Sequence, residues 1–188
     1  MTVALTREQY KELINALFNG TNVTQPNEPV ATMLQIEANT GIRISDVLKL
    51  RRGDIVKDGN RYRFDIKERK TKKPRTFTVP DPVYMMVEKY CIDHKVEKGE
   101  KIFPYDEDSG ARGIQKILKK LSDYYGYDNI GTHSFRKYFA TKAYINSGYD
   151  IELVSRLMQH ANSSITRRYI GIQDEKTENV LRDSVDLI

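Results

Sequence analysis

Between Gly131 and Tyr169 the chain reads GTHSFRKYFATKAYINSGYDIELVSRLMQHANSSITRRY, and four residues in it restrict what the remainder can be. His133 and Arg136 stand three apart at the head of an apolar helical pattern, so both project from one face of its first turn. Asp150 caps a further helix carrying Ile151, Val154 and Leu157, with His160 at its end. Ser163 or Ser164 then caps a short segment that delivers Tyr169, nine residues beyond His160. Charged and titratable side chains are thus set on a frame of short helices.

Upstream, the pattern stays mainly helical with one interruption. Thr6 is an N-cap with Gln9 in the capping-box position, and Leu13, Ile14 and Leu17 form the stripe of a first helix that Gly20 ends. Thr21 to Pro29 is a loop, and Glu28 to Ala38 reads as a buried helix broken at Thr40-Gly41. Ser45 reads as the N-cap of a short helix through Leu50, which places Arg43 just ahead of a helix N-terminus, where an anion is favoured. Asp46 is spaced to buttress Arg43; the bland alternative is a surface ion pair.

The interruption is a β-meander. Tyr62, Phe64 and Ile66 alternate with Arg61, Arg63 and Asp65, and Asp58-Gly59 is a hairpin turn back to Ile55-Val56. Thr76 to Val79 is a third strand. Helices follow over Pro82 to Glu97 and around Ile114, Ile117, Leu118 and Leu121. The expected class is α+β, mainly helical, with a small three-stranded antiparallel sheet.

Composition enters mainly through charge. The formal net charge is +5 at pH 7. That excess is modest, but Lys67, Arg69, Lys70, Lys72, Lys73 and Arg75 fall within nine residues between the second and third strands. Such a turn is either a solvated charged loop or a contact for a phosphate-rich partner, with salt-sensitive binding. A single cysteine, Cys91, excludes an internal disulfide and any Cys-rich zinc site and favours a reducing compartment. No apolar run approaches the roughly 18 residues of a membrane span, and no signal-peptide pattern opens the chain.

Gly41-Ile42-Arg43-Ile44-Ser45-Asp46, the lysine-rich turn, His133-x-x-Arg136, His160 and Tyr169 stand in the order found in one family, and the chain resembles the tyrosine recombinase (phage integrase) catalytic domain over nearly its whole length. The resemblance implies a catalytic set of Arg43, Lys70, His133, Arg136, His160 and Tyr169, with Lys67, Lys72 and Lys73 open as alternatives to Lys70. It implies double-stranded DNA as partner, contacted also by Lys67, Arg69, Lys72, Lys73 and Arg75. Tyr124, Tyr125 and Tyr127 lack a histidine or arginine in a matching pattern and read as packing or DNA-facing residues, and His94 reads as a surface residue.

The residue types suit that chemistry. Two permanently charged guanidinium groups hold the non-bridging oxygens of a phosphodiester and stabilise the added charge of the transition state. A phenol with an ordinary pKa of about 10 needs assistance to attack phosphorus, for which His133 is placed. His160 would bond the phosphate or position Tyr169, and Lys70 would protonate the departing 5′-oxygen. The implied product is a 3′-phosphotyrosyl link that conserves the broken bond's energy, so neither metal, ATP nor another cofactor is expected.

Three departures from the family pattern stand out: Asp46 replaces the usual glutamate, Gln159 replaces the glycine before the second histidine, and Gly171 stands where a histidine often follows the tyrosine. The resemblance places residues 1–188 in the catalytic domain alone, without the N-terminal DNA-gripping domain of family members. Weak DNA binding by this chain, a monomer when free, a homotetramer on DNA and a cytoplasmic location are the corresponding expectations. The tail from Gln173 to Ile188 would dock in cis or in trans. The alternatives are a DNA-binding regulator that does not cut and a type IB topoisomerase.

Overall fold

The computed structural model describes residues 2–67, 74–171, 182, 184 and 185. The chain divides into two compact units, Met1–Phe139 and Ala140–Ile188.

In the first unit, α1 (Arg7–Asn19) starts at Thr6, whose hydroxyl accepts the Gln9 N–H while the Gln9 side chain accepts the Thr6 N–H. This is the capping box read from the sequence, with glutamine in the acid's place. Leu13, Ile14, Ala16 and Leu17 form its buried stripe. Helix α2 (Glu28–Thr40) is capped by Asn27 and buries residues on nearly every side, among them Met33, Leu34, Ile36 and Glu37. A helix buried all round is a central helix. Each fully covered Leu, Ile or Met in it contributes roughly 1.5–3 kcal/mol of transfer free energy. Gly41 ends α2 in the left-handed region at φ 69°, where the absence of a Cβ removes the steric penalty.

Helix α3 is one turn, Ile44–Val47. Arg43, not Ser45, is its N-cap: the Arg43 carbonyl accepts the N–H groups of Asp46 and Val47. The sheet is the expected meander, with β1 (Ile55–Asp58), β2 (Arg61–Lys67) and β3 (Pro74–Val79) antiparallel in that order. Phe64 pairs with Ile55 on one side and Phe77 on the other, and its side chain is fully buried. Tyr62 stacks on Tyr84 of α4 (Asp81–Asp93), their ring centroids 3.7 Å apart, which ties the sheet to that helix.

Helix α4 stops at Asp93, short of the expected Glu97. Lys95 turns left-handed at φ 54°, and the Val96 N–H reaches back to the Cys91 carbonyl. Val96 is therefore buried by a turn, not by continued helix. His94 lies exposed, with its Nε2 3.2 Å from Glu28. Helix α5 (Glu107–Tyr125) buries Ile114, Leu118 and Leu121, and α6 (Thr132–Asn146) begins in this unit.

In the second unit, α7 (Ile151–Met158) is capped by Asp150, whose side chain accepts the Leu153 N–H at 2.9 Å. It buries Ile151, Val154, Ser155 and Met158. Helix α8 (Ser163–Ile170) follows; its cap is Asn162, whose side chain accepts the Ile165 N–H at 3.2 Å, and not either serine. Among the described residues no helix is long and apolar enough to cross a membrane.

Candidate active site

In the first unit three expected residues act on one another. Arg43 is half-buried at the junction of α2 and α3. Arg136, one turn into α6, is 2% exposed, and its Nη1 donates to the Gly41 carbonyl at 2.5 Å. The residue that ends α2 therefore also holds the second arginine, while the same turn leads two residues on to the first. His133 sits at the head of α6. Burial lowers its pKa from the ordinary 6.5, and the positive charges of Arg136, Arg43 and Lys137 lower it further. The effect is a histidine kept neutral, able to accept a proton at neutral pH.

The head of α6 is fixed by contacts the sequence does not advertise. The Thr132 N–H donates to Gln115 Oε1 at 3.2 Å, and the Gly131 N–H donates to Ser134 Oγ at 3.1 Å. Lys137 next to Arg136 is largely buried, and its ammonium donates to the Thr2 carbonyl at 2.8 Å. In the sequence it reads as an ordinary helix charge.

Behind Arg43 lies Glu37, wholly buried in α2. Its Oε1 accepts the N–H of Ile44, the first residue of α3, at 3.1 Å. Arg43 caps α3 with no side-chain bond, so Glu37 satisfies that helix end from a different helix. Burial pushes the carboxyl up to about 8, against the opposing pull of the Arg136 guanidinium and the Ile44 N–H. Its period in α2 carries the only hint of burial that the sequence holds.

In the second unit His160 and Tyr169 meet. Their ring centroids are 5.4 Å apart and the planes lie at 75°. His160 Nδ1 lies 2.8 Å from Oγ1 of Thr166, which is fully buried on α8 three residues before Tyr169. Gln159 ends α7 at φ 53°, a left-handed position in which the family's glycine is at ease and glutamine is not. Asp46 is buried, 4% exposed.

Lys70, Arg69, Lys72 and Lys73 lie outside the described residues. Lys67 and Arg75 occupy strand positions at the open end of the β2–β3 ladder, opposite Pro74 and Ile66 respectively. Along β1 and β2, Arg61 and Arg63 are spoken for: Arg61 pairs with Asp58, and Arg63 with Asp58 and Asp65. Most of the tail from Gln173 to Ile188 also lies outside the described residues.

A mainly helical chain with one small meander, an arginine at the junction of a central helix with the turn that follows it and a later helix bearing a tyrosine has the architecture of a tyrosine recombinase catalytic domain. The chain belongs to the phage integrase family, which it matches over residues 4–176. It is 31% identical over 144 residues to the "Probable integrase/recombinase YoeC" of Bacillus subtilis, spanning 74% of this chain and 75% of that protein. Its fold matches the crystal structure of XerH site-specific recombinase bound to palindromic difH substrate with a TM-score of 0.69 at 18% identity, over 95% of this chain and 52% of that one. It matches the catalytic domain of bacteriophage HP1 integrase with a TM-score of 0.62 at 18% identity, over 98% of this chain and 96% of that one. The chain thus spans about half of the XerH chain but nearly all of an isolated catalytic domain.

Proposed function

We propose that this chain is the strand-cutting and rejoining domain of a site-specific DNA recombinase, with Tyr169 as nucleophile. The observation that carries the reading is the pair of arginines tied to one turn, Arg43 two residues after Gly41 and Arg136 bonded to its carbonyl, with His133 beside them, its pKa lowered by burial and by their charge. Two fixed guanidinium groups suit the non-bridging oxygens of one phosphodiester. Tyr169 Oη attacks phosphorus, a phosphotyrosyl bond forms to the 3′ end, and the bond from phosphorus to the 5′-oxygen breaks. His133 receives the phenolic proton, and a lysine of the 67–73 segment, Lys70 in our assignment, protonates the leaving oxygen. His160 Nδ1 is engaged by Thr166, so Nε2 is the nitrogen we assign to the phosphate. Religation reverses these steps.

On this reading residues 1–188 form a catalytic domain that grips double-stranded DNA weakly alone, assembles as a homotetramer on paired sites, and works in the cytoplasm. The XerH structure, whose chain extends well beyond the matched part and is bound to its substrate, supports the DNA partner. The test is covalent capture on a nicked duplex that loses its short 5′-hydroxyl fragment after cleavage. We expect an SDS-stable protein–DNA adduct that Tyr169→Phe abolishes. Salt-sensitive binding with no adduct from the chain or from a longer form of the protein would favour a regulator that does not cut. Relaxation of a plasmid lacking paired sites would favour a topoisomerase.

A further inference from the structure

We propose that Glu37 is a positioning residue for the phosphate-holding arginines: from within α2 it caps the turn that begins at Arg43 and faces the charge of Arg136. This rests on the function proposed above and extends it to a buried residue outside the family's site set.

The geometry carries the argument. Glu37 is completely buried in the central helix, where an acid is costly without a purpose. One carboxyl oxygen is spent on the Ile44 N–H, one residue past Arg43. The other, Oε2, is buried with no hydrogen-bond partner among the described residues. The Glu37 carbonyl accepts the Gly41 N–H, and the Gly41 carbonyl in turn accepts Arg136 Nη1. One residue thus holds, by backbone and by side chain, the turn on which both arginines depend. A buffered carboxyl also explains how Arg136 keeps its charge available. A permanently ionised partner in the core would compete with the phosphate for the guanidinium, whereas a neutral carboxyl keeps its place without competing.

The groups around Glu37 are few. Arg136 of α6 is the charge that acts on it, with the Ile44 N–H as the acting dipole. On α3, Arg43 and Asp46 flank that N–H in sequence, and on α6 His133 lies one turn before Arg136. Tyr10 of α1 meets α2 at Asn39. The Glu28–His94 contact between α2 and α4 is about two and a half turns away along the helix. Burial holds the Glu37 proton up to about 8, so the neutral form prevails at pH 7 and ionisation falls on the alkaline side.

The experiment compares wild type with Glu37→Gln and Glu37→Leu. Single-turnover adduct formation is followed on saturating nicked duplex from pH 6 to 9, alongside DNA binding by anisotropy, thermal melting and the Arg136 Nε–H NMR signal. Glutamine keeps an acceptor for the Ile44 N–H; leucine does not. We expect Glu37→Leu to bind duplex within about twofold of wild type but to form adduct at least tenfold more slowly per folded molecule. Glu37→Gln should stay within about threefold at pH 7 and lack the decline wild type shows above pH 8. The Arg136 signal should shift between pH 7 and 9 in wild type and stay put in Glu37→Gln. Lowered melting with an unchanged rate per folded molecule would overturn the proposal and make Glu37 a packing residue. Should Glu37→Leu fail to fold, the glutamine profile and the Arg136 signal decide. If wild type forms no adduct, the cutting function falls, while an Arg136 signal indifferent to pH would separately sink the role of Glu37.

Discussion

Thr166 Oγ1 lies 2.8 Å from Nδ1 of His160, and the same imidazole meets the Tyr169 ring at 75° with centroids 5.4 Å apart. One buried hydroxyl on α8 thus orients a histidine against Tyr169, the residue proposed above as nucleophile. A histidine that must present a chosen nitrogen needs its other nitrogen engaged. Thr166→Val keeps the shape and removes the hydroxyl. We expect adduct formation to slow about tenfold, matching roughly 1.4 kcal/mol for a lost hydrogen bond to an oriented group, and Thr166→Ser to recover most of the rate. Single-turnover cleavage checks it; wild-type rates in the valine variant would reduce Thr166 to a packing residue.

The second prediction concerns pH. His133 has a folded pKa below 6.5, from burial and from Arg136, Arg43 and Lys137. As a proton acceptor it must be neutral, so the acid limb of the cleavage profile should lie below pH 6.5 and the rate should be level through neutrality. The stability consequence has the same direction. Between the lowered folded pKa and 6.5 the unfolded chain binds the extra proton, so stability rises with pH across that window and is lost as pH falls through it. An NMR titration of the His133 ring gives the midpoint directly. A midpoint above 6.5 would contradict the cationic surroundings, and His133→Gln should remove the acid limb from the residual activity.

Much of the fold is legible because it rests on local rules. The α1 stripe, the Thr6 and Asp150 caps and the Tyr62–Phe64 alternation are each decided within a few residues. The misplaced boundaries arise where two neighbouring residues can serve one purpose. Asn162 and Ser163 are both good caps, and only the N–H that is three residues on decides for Asn162. Ser45 has the chemistry of a cap, yet the Arg43 carbonyl already accepts the turn's first bonds. Of the proposed site, the residue types and their order are readable from the sequence, since the chemistry proposed calls for arginine, histidine and tyrosine. What supports them is not: Glu37, Gln115, Lys137 and Thr166 matter through partners 6 to 135 residues away, among them Ile44, Thr132, Thr2 and His160.

Gln159 yields a prediction of opposite sign to most substitutions. Its φ of 53° is left-handed, which costs a residue with a Cβ roughly 1–2 kcal/mol. Glycine removes that cost but gives the unfolded chain more freedom, worth about 0.4–1 kcal/mol. Gln159→Gly should therefore stabilise the protein by about 0.5 kcal/mol, read as a higher urea midpoint at constant slope. A clear loss of stability would mean that the contacts of the glutamine outweigh the cost of its backbone conformation.

Gly131 precedes α6 with no room to spare. A Cβ there would lie 2.7 Å from Gln115 Oε1 and 3.0 Å from its Nε2. Gln115 is the flexible end of an exposed side chain, so it would swing away, but Oε1 would then release the Thr132 N–H and Nε2 the Ile130 carbonyl. Gly131→Ala should cost about 1–2 kcal/mol of stability for the two bonds and slow cleavage by loosening the turn under His133. Gln115→Ala removes the same bonds and the clash together. The double variant should therefore be little worse than Gln115→Ala alone, a coupling of about 1 kcal/mol in the cycle. Additive losses on urea unfolding would show that Gly131 is required for its backbone and not for the space it leaves Gln115.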